Sequence, residues 1–246
     1  MSSDIDQQVK TETVGLGRRE VGFAGGLVVG GLLLNAVSTL FHPAGEEDNH
    51  QVIFTAYANS DSWVAIHLGQ FVGVLLALGG LLVLTRVVRP AGRSTLLPHF
   101  AAAVTVATAA TWAVLQGLDG VGLKQAVDAW YSASGADKAI RLANAETVRW
   151  LEWGFQSYFR VLLGLAFVLV GAAMLAGRRV GAGWLGWAAL LGGLFSAAIG
   201  IDVGYNGLAS GLQDTLGIAF LLVVLVFAVG VLVAGMRGRS DPPPRT

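Results

Sequence analysis

Long apolar stretches alternate with short polar segments along most of the chain. A helix that crosses a bilayer needs about 20 mostly apolar residues, and six stretches reach about that length without an interior proline. Because the hydrocarbon core offers no hydrogen-bond partner to an exposed backbone, each stretch is predicted to form an α-helix. The predicted fold is therefore an all-α transmembrane bundle with six spans, at about residues 21–41, 64–85, 100–118, 155–176, 184–204 and 213–235.

Basic residues are placed unevenly around these spans. They precede the first span, join the second to the third and the fourth to the fifth, and follow the sixth. They are Lys10, Arg18, Arg19, Arg86, Arg89, Arg93, Arg178, Arg179, Arg237, Arg239 and Arg245. Because cytoplasmic loops carry an excess of Lys and Arg, both termini are predicted to be cytoplasmic, in a protein of the cell membrane.

The same pattern predicts the domain organisation. A polar cytoplasmic tail at 1–17 precedes a transmembrane domain at 18–236, and a second cytoplasmic tail follows at 237–246. Between the third and fourth spans, residues 136–153 have a helical pattern. This run is predicted either to lie on the outer interface or to extend the fourth helix outward.

The composition narrows the class of protein. Of the 246 residues, 54% are hydrophobic and only 13% are charged, whereas soluble domains usually carry about 25% charged residues. The formal net charge is zero, which excludes nucleic acid as a partner, because nucleic-acid-binding proteins carry a basic excess. The absence of cysteine excludes thiolate catalysis and cysteine-held metal sites.

The six spans are interpreted as three helical hairpins, each entered from a basic turn. Counted outward from the last arginine of each turn, His42, Asp119 and Asp202 lie 23 to 26 residues on. At about 1.5 Å per residue, this length crosses the membrane. The three side chains are therefore expected at a similar depth, near the outer boundary.

Polar residues also mark the outer ends of the returning helices. Glu152, Gln156 and Arg160 are spaced by four, so they share one helical face. Polar groups within a membrane usually face the interior of the bundle, so we expect this stripe to point inward and Arg160 to pair with Asp119 or Asp202. A further set is interpreted as lying in the headgroup region: Glu146, Arg149 and Asp214.

These outer ends supply the candidate site. Asp119, Asp202 and Arg160 are the candidate catalytic residues, because a buried carboxyl can act as a general acid. The candidate pocket residues are polar side chains of similar depth: His42, His67, Gln70, Gln116, Glu152, Gln156, Tyr158 and Asn206. An outward-opening cavity is expected to be lined by at least four of His42, His67, Asp119, Asp202, Gln156 and Arg160.

No cofactor is predicted. The outer histidines and carboxylates lack the spacing of a metal signature. The alternative to a site without a cofactor is a divalent metal held by these side chains. The glycine motif at 181–186 lacks the preceding strand of a dinucleotide site. Gly22, Gly26 and Gly30 recur every four residues, which allows close helix packing either within the bundle or at a homodimer face.

Two segments carry a resemblance to a known group. The sequences SWVAIHLGQ at 62–70 and VRWLEWGFQS at 148–157 resemble uncharacterised actinobacterial multi-pass membrane proteins. The resemblance implies six helices and no assigned activity, and it transfers no catalytic residue.

Three functions stay open at this point. The first is a non-catalytic binding or accessory module with membrane lipid and an amphiphilic ligand as partners. The second is a membrane enzyme whose buried carboxylates act as acids on an amphiphilic or isoprenoid-like substrate. The third is a small transporter. Transporter sites are typically formed by broken helices, and the sequence predicts none.

Overall fold

The computed structural model describes residues 2–88, 96–177 and 183–237. The predicted basic turns with Arg89, Arg93, Arg178 and Arg179 lie outside the described residues, as do the start of the glycine motif and the tail from residue 238. Over the part that is described, the chain is helical and contains no strand, so the all-α prediction is confirmed.

Eight α-helices and one π-helical segment follow one another along the described chain. They are α1 (Ser2–Thr39), α2 (His50–Ala58), α3 (Trp63–Val87), α4 (Leu96–Gly117), the π-helical segment (Leu118–Leu123), α5 (Lys124–Tyr131), α6 (Gly135–Gly177), α7 (Trp184–Asn206) and α8 (Gly211–Arg237). Six stretches are long and apolar enough to cross a membrane: α1 from Gly17, α3, α4 continued through α5, α6, α7 and α8. The chain is therefore a multi-pass membrane protein.

Three helices extend beyond the predicted spans. α1 begins at Ser2, within the predicted tail, and α4 continues through the π-helical segment into α5. α6 is one helix from Gly135 to Gly177, so residues 136–153 extend the fourth span. A hydropathy pattern detects only the apolar part of a helix. These extensions are more polar than the spans, so the pattern did not include them.

Glycines bring the helices into close contact. A Cβ atom added to Gly73 of α3 would lie 2.8 Å from the Gly31 carbonyl oxygen of α1, closer than real side chains approach. Gly235 of α8 packs in the same way against the backbone of Gly22 in α1. Gly26 and Gly30 have no such neighbour within 4 Å among the described residues, so Gly22 does not share a free face with them. The homodimer face stays a prediction.

One end of the bundle is covered by a cap, made of α2, the π-helical segment, α5 and the first turns of α6. Its own small core contains Ile53, Phe54, Tyr57, Trp63, Leu123, Val127, Trp130 and Ala145. The larger core lies between the long helices, where Trp112 of α4 packs against Phe159 of α6 with ring centroids 4.6 Å apart. The cap closes over the polar ends of α1, α3 and α6.

Candidate functional site

A cavity of about 340 Å³ lies beneath the cap, between α1, α3, α4, α6 and α8. Along α6 its lining runs from Arg149 to Phe167, about 27 Å at about 1.5 Å per residue. Its capped end is lined by charged and polar side chains, whereas its far end is lined by Val28, Leu81, Leu163, Phe167 and Val224. The cavity is thus polar at one end and apolar at the other.

One face of α6 supplies much of the polar lining. Arg149, Glu152, Gln156 and Arg160 all line the cavity, and their spacing of three and four residues places them on one helical face. The predicted stripe therefore points inward. Arg149 extends this stripe toward the cap, although the sequence did not predict Arg149 as a pocket residue.

Arg149 is buried at the centre of a charge cluster. Its side chain is 2% exposed, its Nη1 donates to Glu152 Oε2 at 2.9 Å, and its Nη2 pairs with Glu47 of the α1–α2 loop. Its guanidinium also lies 5.5 Å from the centroid of the Tyr57 ring. Arg149 was interpreted as a headgroup-region residue, and the structure shows it enclosed by the cap and paired with two carboxylates.

Two groups of the cap change their acidity on burial. Burial raises the pKa of the Glu47 carboxyl, although the Arg149 charge opposes that shift. Burial also raises the pKa of the Tyr57 phenol, again against the Arg149 charge. Tyr57 therefore stays protonated at neutral pH and can donate a hydrogen bond into the cavity that it lines.

The π-helical segment presents Asp119 to His67. Asp119 Oδ2 lies 3.1 Å from His67 Nε2, and His67 Nδ1 lies 2.8 Å from the Trp63 carbonyl oxygen. Since a carbonyl can only accept, Nδ1 carries a hydrogen. His67 is therefore held between the Trp63 carbonyl oxygen and the Asp119 carboxyl.

The surroundings hold this pair in place. Trp63 Nε1 donates to the Asp119 carbonyl oxygen at 3.2 Å. Gly120 lies against His67, where an added Cβ would sit 2.7 Å from His67 Cβ. Asp119 Oδ1 is buried and has no hydrogen-bond partner among the described residues. Because Asp119 lines the cavity, a bound molecule can reach this carboxyl.

His42 lies beside the same pair. Its ring centroid is 5.3 Å from that of His67, and its Nδ1 lies 2.8 Å from the Pro43 carbonyl oxygen. Burial lowers the pKa of the His42 imidazole, while the Asp119 charge opposes that shift. His42 is therefore a neutral polar group of the cavity at neutral pH.

Arg160 does not form the expected ion pair. Asp119 is taken by His67, and Asp202 accepts from Asn206 Nδ2 at 2.7 Å and Gln213 Nε2 at 2.8 Å. The register of the helices explains the difference. Ser196 of α7 donates to the Arg160 carbonyl oxygen, so Ser196 is the residue of α7 beside Arg160. Asp202 lies six residues, or about 9 Å, beyond Ser196 along α7.

The structure separates the predicted site residues into two groups. Seven line the cavity: His42, Gln70, Gln116, Asp119, Glu152, Gln156 and Arg160. His67 lies behind Asp119, and Tyr158 is 68% exposed. Asp202 and Asn206 lie at the turn between α7 and α8, outside the cavity lining.

The lining residues that the sequence reasoning missed include three at the capped end: Glu47, Tyr57 and Arg149. Only Arg149 carried a signal, because its spacing of three from Glu152 is typical of an ion pair on one helical face. Glu47 and Tyr57 reach the site from the α1–α2 loop and α2, which fold back over the bundle.

A metal was the alternative for the outer histidines. No group of three His, Asp or Glu side chains that could hold a metal ion occurs among the described residues. His50 instead lies 3.1 Å from Glu146, in the cap and apart from His42 and His67.

Comparisons with known proteins add no activity to this geometry. The chain matches no protein-family model, and neither a curated protein nor a solved structure is significantly similar to it.

Proposed function

We propose that this membrane protein is a binding module for an amphiphilic molecule drawn from the lipid bilayer. The observation that carries the proposal is a cavity with a charged end and an apolar end. Its volume of about 340 Å³ falls within the range of about 300–1,000 Å³ that is usual for ligand pockets. An amphiphile would place its chain among the apolar side chains between the helices and its polar group among the polar side chains that line the cavity.

The charge distribution supports an orientation for this site. Arg86 and Arg237 lie in the last turns of α3 and α8, at the end of the bundle opposite the cap. Basic residues favour the cytoplasmic side. The cap and the polar end of the cavity then lie on the outer side of the cell membrane, with both termini inside.

The packing of α1 against α8 supports entry from the bilayer. The two helices are in close contact at Gly22 and Gly235. Toward the cap, α8 has no buried residue before Val224 and α1 has none after Gly31. Residues of both looser halves line the cavity, so a chain could pass sideways between them.

The test is to identify what the protein carries. Protein purified in a neutral detergent is analysed by native mass spectrometry, and the bound molecules are extracted and identified. Val74→Trp fills the cavity that Val74 lines, whereas Val72→Trp adds the same ring on the exposed face of α3. We expect a bound amphiphile in the parent protein and in Val72→Trp, and its loss in Val74→Trp. Equal occupancy in both variants would contradict the proposal.

A second candidate is acid catalysis on the bound amphiphile. The observation that favours it is the 3.1 Å contact between His67 Nε2 and Asp119 Oδ2, together with the buried Asp119 Oδ1, which has no hydrogen-bond partner among the described residues. A carboxyl that keeps a proton can act as a general acid. Incubation of the protein with its extracted ligand would yield a product that Asp119→Asn fails to form. An unchanged ligand after incubation with the parent protein favours the binding module.

A further inference from the structure

We infer that the amphiphile carries an oxyanion, and that this group binds Arg160 in the middle of the cavity. The inference rests on the proposed binding function and names the chemical class of the ligand. It follows from the contrast between the two arginines that line the cavity, because one is neutralised by carboxylates and the other is not.

Arg160 has no anionic partner in the part of the chain that the structure describes. Among the described residues no carboxylate pairs with it, and its buried Nε has no hydrogen-bond partner. Its guanidinium lies over the ring of Phe220, 5.5 Å from the ring centroid. An unpaired charge inside a membrane protein is costly, and a bound anion would remove that cost.

Arg149 cannot take this role. It already pairs with two carboxylates, Glu47 and Glu152, and Asp119 lies near the same end of the cavity. The capped end therefore repels a further anion. Arg160 lies about 16 Å deeper along α6 than Arg149, where no carboxylate of the described chain lines the cavity.

Uncharged polar groups surround the Arg160 level. Gln156 lies one turn away on the same face of α6, and Asn35 and Gln70 line the cavity from α1 and α3. Gln116 of α4 also lines the cavity and is only 8% exposed. Such amides can donate to the remaining oxygens of a carboxylate or phosphate.

The apolar end defines the rest of the ligand. Below Arg160 the cavity continues past Leu163 to Phe167, about 10 Å farther along α6. A total volume of about 340 Å³ is at the small end of ligand pockets, which favours one chain over the two chains of a phospholipid. The ligand class is therefore a single-chain oxyanion, a carboxylate or a phosphate monoester.

The experiment measures the charge preference of the cavity. A fluorescent fatty acid is bound to the delipidated protein in a maltoside detergent and displaced by palmitate, by palmitoyl lysophosphatidate or by hexadecanol. Because a charge-assisted hydrogen bond is worth roughly tenfold or more in affinity, we expect at least one of the anions to compete at least tenfold better than the alcohol. The stronger anion distinguishes a carboxylate from a phosphate ligand.

Variants assign the preference to Arg160. Arg160→Gln should reduce the affinity ratio of anion to alcohol to about one, and Arg160→Lys should retain part of the preference. Arg141→Gln, on the exposed stretch of α6, should leave the ratio unchanged. The displacement of the probe by hexadecanol checks that Arg160→Gln retains a folded cavity. If this variant does not fold, the parent's preference and the Arg160→Lys result decide the question.

The outcomes separate the two proposals. Equal competition by anions and alcohol in the parent protein overturns the oxyanion inference but leaves an amphiphile site. A preference that persists in Arg160→Gln also overturns it. If neither the anions nor the alcohol displaces the probe, the binding function fails, and the inference fails with it.

Discussion

Two arginines on one face of α6 have opposite surroundings. Arg149 is buried between the carboxylates of Glu47 and Glu152, whereas Arg160 faces the cavity beside the ring of Phe220. The first is held by partners within the protein, and the second is left for a ligand. Substitution at these two positions should therefore affect the stability of the ligand-free protein differently.

Arg149→Met should destabilise the protein strongly. It leaves Glu47 and Glu152 without their counter-ion, and breaking a buried ion pair in this way costs about 3–5 kcal/mol. Thermal unfolding in detergent measures the loss. Arg141→Met, at an exposed position of the same helix, should unfold like the parent, and a similar result for Arg149→Met would contradict the buried cluster.

Arg160→Met should not lower the unfolding temperature of the delipidated protein. The substitution removes an unpaired charge and keeps a side chain of similar length, and only the contact with Phe220 is lost. The same thermal assay compares it with Arg149→Met. A loss as large as that of Arg149→Met would show that Arg160 depends on a partner within the protein.

His42 should make stability fall on acidification. Its pKa is lowered in the folded state, so below about pH 6.5, the ordinary value, the unfolded chain binds a proton that the folded protein does not. Unfolding temperatures at pH 7 and pH 5 should therefore differ less in His42→Gln than in the parent. Glu47, Asp119, His67 and Arg149 are common to both proteins, so the difference isolates His42. If the unfolding temperatures at pH 7 and pH 5 differ equally in the parent and in His42→Gln, His42 is not the group responsible for the pH dependence.

At the scale of elements, the π-helical segment decides the geometry of the site. It interrupts the α-helical ladder between α4 and α5, and such segments are frequent at functional sites. Here it places Asp119 against His67 and brings Gly120 into contact with the same ring. The hydropathy pattern cannot reveal the π-helical segment, because a change from α-helical to π-helical geometry in one turn does not change the apolar run.

Gly120→Ala tests this contact. The added methyl group would lie 2.7 Å from His67 Cβ, and overpacking of this kind typically costs about 1–3 kcal/mol. Gly122→Ala is the matched control, since its methyl group would make only ordinary contacts at 3.5 Å or more. We expect a lower unfolding temperature for Gly120→Ala alone. Equal behaviour of the two variants would show that the segment tolerates displacement.

At the scale of the whole molecule, the cap distinguishes the two ends of the bundle. Its proposed position on the outer side rests on the basic residues at the opposite end. Because the chain has no cysteine, single cysteines can be introduced without background labelling.

Asn49→Cys in the cap should react with a membrane-impermeant maleimide in intact cells. Arg237→Cys, at the end of α8 opposite the cap, should react only after the cells are permeabilised. Both sites should label equally in detergent. The reverse pattern in intact cells would invert the orientation and place the polar end of the cavity in the cytoplasm.

The sequence by itself determined the fold class and the inward stripe of α6. Apolar runs of about 20 residues in lipid have to satisfy their backbone within one helix, so six runs predict six spans without further information. The spacing of Glu152, Gln156 and Arg160 places them on one face whatever packs against it. These conclusions depend only on local geometry and on the solvent.

Only the tertiary structure decided which charges meet. The burial of Arg149 depends on α2 and the preceding loop folding back over α6, and hydropathy carries no information about that contact. The separation of Arg160 from Asp202 depends on the register of α6 and α7, which places Ser196 beside Arg160. Close contacts at Gly164 and Gly193 accompany this register, and a shift of one or two turns changes the partners of every polar group.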